Sequence, residues 1–215
     1  MNAPASLPYF PALPFFGRLE PADPARALER RLRQSVRRGQ PLVLGTVANP
    51  YEPLRPGATR ALLAGLDALH PAGAAEGWAV SITTRSPLLL RDLDLLAELD
   101  RRHAVTVHVT LPTVDPALAS RLEPGAPDPR ARLRIVRQLA GEGIDTRVVC
   151  TPVMPGENDG EEVLRPLFAE VREAGAHDVT ASAAHLRPAV RDRFLATFRL
   201  LRLEHGFPQG TPGRG

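Results

Sequence analysis

The sequence predicts an α/β protein built on a parallel sheet of about five strands, and three observations predict it. Apolar, β-branched runs recur at Leu42–Val47, Trp78–Thr83, Val105–Leu111, Thr146–Thr151 and Val179–Ser182. A segment with helical spacing follows each run, and strands separated by helices pair in parallel. Within the runs polar and apolar residues alternate, whereas a strand packed on both faces is apolar throughout. One face of the sheet therefore meets helices and the other lines a polar cavity. An antiparallel sheet with one wet face is the alternative; it explains the alternation but not the intervening helices.

Residues 1–18, "MNAPASLPYFPALPFFGR", form a proline-broken, aromatic segment that either covers a sheet edge or stays unstructured. Four prolines in its first 14 residues and the lack of a basic start exclude a secretory signal, so the expected location is cytoplasmic. The domain proper spans 19–206. Asp23-Pro24 starts a helix reaching about Arg38, with proline at a favoured first-turn position. No strand precedes that helix, so the first βα unit is missing or degenerate.

Val105, Val107, Val109 and Leu111 then oppose Thr106, His108 and Thr110, just as Trp78, Val80 and Ile82 oppose Ser81 and Thr83. Later, Arg147 and Thr151 oppose Val148, and Thr180 and Ser182 oppose Val179. The helix at Leu133–Ala140 ends at Gly141 and Gly143. Asp159 with Glu162 forms a capping-box pattern ahead of Val163, Leu164, Leu167, Phe168 and Val171, and Gly175 ends that helix. A last helix repeats Val190, Phe194, Phe198 and Leu201 on one face, and the tail 207–215, "FPQGTPGRG", reads as disordered.

Composition excludes several function classes. No run of about 18 uncharged apolar residues exists to span a bilayer. All 27 basic residues are arginine, a coding bias, and a net charge of +3 does not mark a nucleic-acid binder. Cys150 is the only cysteine, so neither an internal disulfide nor a multi-cysteine metal site can be built from this sequence. It alternates onto the apolar side with Val148, which predicts a buried, inert thiol.

In a parallel α/β sheet, ligands meet the loops at the carboxyl ends of the strands. Here those loops are "VANPYEP" (47–53), "TTRSPLLLRD" (83–92), "TLPTVDP" (110–116), "TPVMPGEND" (151–159) and, more loosely, "AHLRP" (184–188). Each also has a plain structural use: Thr113 or Asp115 as a helix cap, Asn158 and Asp159 as a turn and cap. His108, between valines on the polar face, suits a substrate contact or an acid or base near neutral pH, and equally a structural histidine. Gly-rich phosphate loops, histidine-pair metal motifs and serine elbows do not occur.

The ordered series "GTVANPYEPLR", "TTRSPLLLRDLDLL", "TLPTVDPALASRLEPGAPDPRARL" and "TPVMPGEND" resembles the spore-photoproduct-lyase-like branch of the radical S-adenosylmethionine superfamily, across roughly 16–200. The resemblance implies a partial (β/α) barrel with an open polar lumen. It also implies S-adenosylmethionine as cofactor, cleaved reductively at a [4Fe–4S] cluster held by three cysteines after the first strand, with one iron left open. This chain cannot support that cluster, because those cysteines are absent along with the first strand. The family's Thr-Asp-Pro-Tyr is Ala48-Asn49-Pro50-Tyr51 here, which neutralises the acid, and an acid usual shortly afterwards is replaced near Arg55. Its Thr-Lys-Ser is Thr84-Arg85-Ser86, and a serine on the next strand matches Thr110. Glu123-Pro124, Arg132 and the Pro155-Gly156-x-Asn158-Asp159 turn are retained.

The carried-over cofactor-binding residues are Thr84, Ser86, Thr110, Glu123 and Arg132. Asn49, Tyr51, Glu52, His108 and Asn158 are expected to line the substrate cleft, and no catalytic or metal-ligating residue is assigned. Three readings stand side by side. The chain is a truncated or degenerate family member unable to do radical chemistry alone, or a non-catalytic ligand-binding or regulatory pseudo-enzyme. The third is an unrelated α/β enzyme using His108 with Asp115 or Glu52. Both small molecules and nucleic acids stay open as substrates, no membrane is expected, and the edge strand at Leu42–Val47 predicts self-association unless 1–18 cover it.

Overall fold

The computed structural model describes residues 41–45, 49–51, 57–69, 77–154 and 156–183. Their elements are β1 (Leu42–Leu44), α1 (Ala58–Leu69), β2 (Ala79–Thr84), a 3-10 turn (Pro87–Asp92), α2 (Leu93–Asp100), β3 (Ala104–Thr110), α3 (Pro116–Leu122), α4 (Pro129–Gly141), β4 (Asp145–Val153), α5 (Glu161–Glu173) and β5 (Asp178–Ala183). The five strands form one sheet in the order β1-β2-β3-β4-β5. All four pairings are parallel, which rules out the antiparallel alternative. Each strand lies beside its predecessor, so crossovers of one hand bring the connecting helices to one face, as in an open piece of a barrel.

Burial agrees with that geometry. Val80 and Ile82 of β2, Val105, Val107 and Val109 of β3 and Val148 of β4 are sealed against Leu63 and Leu66 of α1, Leu96 and Leu99 of α2, Leu133 and Val136 of α4 and Leu167 of α5 in one cluster. Each such aliphatic side chain contributes about 1.5–3 kcal/mol. α3 stands apart, packing Leu118 and Leu122 on Met154. On the opposite face Ser81, Thr83, Thr106, His108, Thr110 and Arg147 are only half-buried. The alternation therefore reports an open polar face. Val149 of β4 departs from it, a buried valine on the polar parity.

Some boundaries move for identifiable reasons. β1 covers Leu42–Leu44, and the chain turns at Gly45, where a φ of +94° and the Thr83 carbonyl oxygen, which a Cβ would meet at 1.9 Å, both require glycine; Val47, the expected strand end, lies outside the described residues. α5 is capped by Gly160, not by the expected box: Asp159 instead accepts from the Gly156 N–H at 2.7 Å. Gly143 and Gly175, at φ +79° and +88°, end α4 and α5 as expected. β1 pairs on one side only among the described residues. The segments 1–18 and 207–215, the helices expected over 24–38 and 190–201, and residues 184–188 lie outside the described residues, as does Glu52. No described helix is long and apolar enough to cross a membrane.

Candidate functional site at the strand exits

The carboxyl ends of β1 and β2 are joined by a neutral hydrogen-bonded set. Thr84 Oγ1 donates to Asn49 Oδ1 at 2.7 Å and accepts from the Ser86 N–H at 3.0 Å. Asn49 Oδ1 accepts again from the Tyr51 N–H at 3.2 Å, so the asparagine closes the turn after β1 onto β2. Ser86 Oγ accepts from the Leu88 N–H at 3.3 Å and caps the 3-10 turn, with Pro87 at its first position. The Tyr51 ring enters the core rather than lining a cleft. Burial, then the nearby Asp92 carboxylate, raises its pKa well above the tyrosine range. Asp92 is held in turn by Arg60 at 3.2 Å, which also grips Asp94 through two bonds of 2.9 and 2.8 Å. The first two βα units are thereby clamped together.

A charged set stands at the exit of β3. Glu123 follows α3 and receives two guanidinium groups: Arg132 Nη1 on Oε2 at 2.6 Å and Arg85 Nη1 on Oε1 at 3.0 Å. Arg132 Nη1 also donates to the Thr110 carbonyl at 3.0 Å, and its Nε to the Pro127 carbonyl at 2.9 Å. Its Nη2 is buried without a partner. Thr84, Ser86, Thr110, Glu123 and Arg132, far apart in sequence, thus meet along one edge of the sheet. Arg85 was not nominated from the sequence, although it sits between two residues that were. Its signal was position alone, next to the strand end.

The cleft candidates separate. Asn158 is fully buried and its amide is spent: Oδ1 accepts from the Met154 N–H at 2.7 Å, while Nδ2 donates to the carbonyls of Pro112 at 3.1 Å and Pro152 at 3.0 Å. It pins the loop after β4 to the loop after β3. His108 lies mid-strand on the open face, registered with Thr83 on one side and Arg147 on the other. Burial first, and Arg147 second, lower its pKa. Arg147 is fixed by Asp145 at 2.8 Å, and Thr106 donates to the same carboxylate at 3.1 Å. Asp115 does not serve His108: its carboxylate caps α3 through the Ala117 and Leu118 N–H groups.

Cys150 is sealed in the core, its thiol against the Pro112 carbonyl at 3.7 Å and its pKa raised to about 11 by burial. A three-thiolate cluster does not fit these residues, and among the described residues no group of three His, Cys, Asp or Glu side chains could hold a metal ion. At the strand exits a carboxylate flanked by a half-exposed guanidinium offers both signs of charge to a zwitterionic ligand. Thr84 and Ser86, expected as cofactor contacts, are instead buried, with both hydroxyls already hydrogen-bonded inside the chain.

A family model described as the Radical SAM superfamily matches residues 10–167. Uncharacterised proteins of Mycobacterium bovis and Mycobacterium tuberculosis are 37% identical over 171 residues, 80% of this chain and 49% of theirs. An uncharacterised protein of Acidianus two-tailed virus is 31% identical over 153 residues, 70% of this chain and 48% of its own length. The chain therefore spans about half the length of these relatives. Among solved structures, Streptococcus suis SuiB bound to S-adenosylmethionine superposes with a TM-score of 0.59 at 18% identity, covering 86% of this chain and 42% of SuiB. That likeness shows the fold. With the family match extending over most of the sequence, the chain belongs to the radical S-adenosylmethionine superfamily.

Proposed function

We propose that this chain presents an S-adenosylmethionine-binding surface at the exits of β1 to β3 and holds no iron–sulfur cluster of its own, as a degenerate member of the spore-photoproduct-lyase-like branch. The observation that carries the reading is Glu123 gripped between Arg132 and Arg85 beside the Asn49–Thr84–Ser86 set. In the family this cofactor supplies the initiation of radical chemistry. In this chain Glu123 and Arg85 orient the methionyl end, while the buried Thr84 and Ser86 hold the loops after β1 and β2 in place behind them.

The non-catalytic version of this reading has its own support. Asn49 stands where the resembling proteins carry an acid, and its carbonyl oxygen is committed to Thr84 and Tyr51. A neutral residue used as a fastener suits a ligand-holding protein. Calorimetric titration of S-adenosylmethionine into anaerobically prepared chain, with iron and sulfide assayed on the same sample, tests both parts. Binding without iron is expected, weakened about tenfold by Glu123→Ala, the scale of one charge-assisted hydrogen bond. Absence of binding sinks the proposed ligand, and stoichiometric iron and sulfide would sink the cluster-free part.

A further inference from the structure

We infer that Arg132 is a positioning residue: from a buried place it fixes Glu123, and through Glu123 the Arg85 side chain, without touching the ligand. The inference rests on reading the strand exits as facing S-adenosylmethionine, and it divides the roles within that site. Exposure decides the division. The Arg132 side chain is 1% accessible, Glu123 10% and Arg85 48%, a line of alternating charges running from the interior to the surface. A ligand reaches the outer two members and not the first.

Glu123 needs such a holder. It follows the last residue of α3 with a non-helical backbone, φ −135° and ψ 73°, so the helix does not set its side-chain direction. Arg132 supplies that direction from the next helix, α4. Its fork spans the Pro127 carbonyl, the Thr110 carbonyl and the Glu123 carboxylate at once, tying the α3–α4 loop to the end of β3. Lysine carries the same charge but has all its donors on one nitrogen, so it cannot hold the Pro127 carbonyl from the Nε position and the Thr110 and Glu123 oxygens from the Nη1 position together.

The unpaired Nη2 strengthens the case. Buried donors are normally satisfied, and this one is left without a partner while Nε and Nη1 make three bonds. A guanidinium aimed by those bonds at the expense of its own Nη2 goes with a task, and the task within reach is Glu123.

Two readouts on the full chain test this, one of them free of ligand. In calorimetric titrations with S-adenosylmethionine, Arg132→Lys and Glu123→Gln should each weaken binding about tenfold, and the double variant should bind no worse than Glu123→Gln alone. Multiplying losses would mean that Arg132 acts independently of Glu123 and would overturn the inference. So would native affinity in Arg132→Lys. Separately, phenylglyoxal modification of Arg85, followed by mass spectrometry of its peptide, should quicken about two- to threefold in Arg132→Lys, as expected for release of a surface ion pair. Thermal unfolding of each variant confirms that the fold persists. If the unsubstituted chain fails to bind S-adenosylmethionine while Arg85 labelling still responds to Arg132→Lys, the functional reading falls and the positioning role stands. Unchanged labelling removes the positioning role whatever the ligand.

Discussion

Two carboxylate–guanidinium sets stand on this sheet, and they differ in what it takes to assemble them. Asp145 and Arg147 are two residues apart on β4, half-buried on the open face, and joined to Thr106 by a cross-strand bond. Extended chain brings such a pair together with little ordering. Glu123 and Arg132 come from consecutive helices, Arg85 from a loop 38 residues before Glu123, and the inner guanidinium is sealed from water. Desolvation makes that assembly expensive unless its geometry is good. The contrast teaches where to look for function: the local pair is scaffolding that keeps the open face polar, and the costly one is the feature on which the proposed site at the strand exits rests.

The comparison breaks most visibly in stability. Arg132→Met strands Glu123 and removes the bonds to Thr110 and Pro127; it should cost about 3 kcal/mol by denaturant titration, the low end for a broken buried pair because Arg85 remains. Arg147→Met should cost about 1 kcal/mol or less, since Asp145 keeps contact with solvent and Thr106. Equal losses would erase the distinction. Asn158→Ala comes next, at about 2 kcal/mol, because it leaves the Pro112 and Pro152 carbonyls and the Met154 N–H without their partner. Thr84→Val is smaller, about 1 kcal/mol, and should loosen the β1 exit in hydrogen exchange before it changes global unfolding.

The fold was legible because period-2 alternation is a backbone property. Val105, Val107 and Val109 against Thr106, His108 and Thr110 fix the two faces of β3 whatever the loops do. What stayed hidden was decided by contacts distant in sequence. The need for glycine at the turn after β1 depends on the Thr83 carbonyl approaching Gly45, and the diversion of Asp159 from its capping role depends on the Gly156 N–H. At the candidate site, Thr84, Glu123 and Arg132 are proposed from motif order, a record of the family rather than of local physics. Arg85 escaped because nothing in Thr84-Arg85-Ser86 says that a carboxylate 38 residues later will meet it. Asn158 and Tyr51 look like cleft residues in sequence because polar and aromatic loop residues near prolines suit both lining and fastening. Burial separates the two uses.

The smallest expected effect concerns pH and sharpens the scaffolding half of the comparison. His108 shares a row of the open face with Thr83, Arg147 and Asp178. Burial and the Arg147 charge lower its pKa, against weaker raising by Asp145 and Asp178. Its folded value therefore lies below the ordinary 6.5, so the unfolded chain binds the proton more readily. The stability linked to neutral His108 is present above that ordinary value and is lost as pH falls through the folded one. His108→Gln should flatten the stability curve between about pH 7 and pH 5 while leaving the curve near pH 8 in place. Asp145→Asn should act in the opposite sense, steepening the loss, because it removes the carboxylate that offsets Arg147. If Asp145→Asn instead leaves the slope untouched, the local pair does not tune its neighbour, and its role reduces to keeping the open face wet.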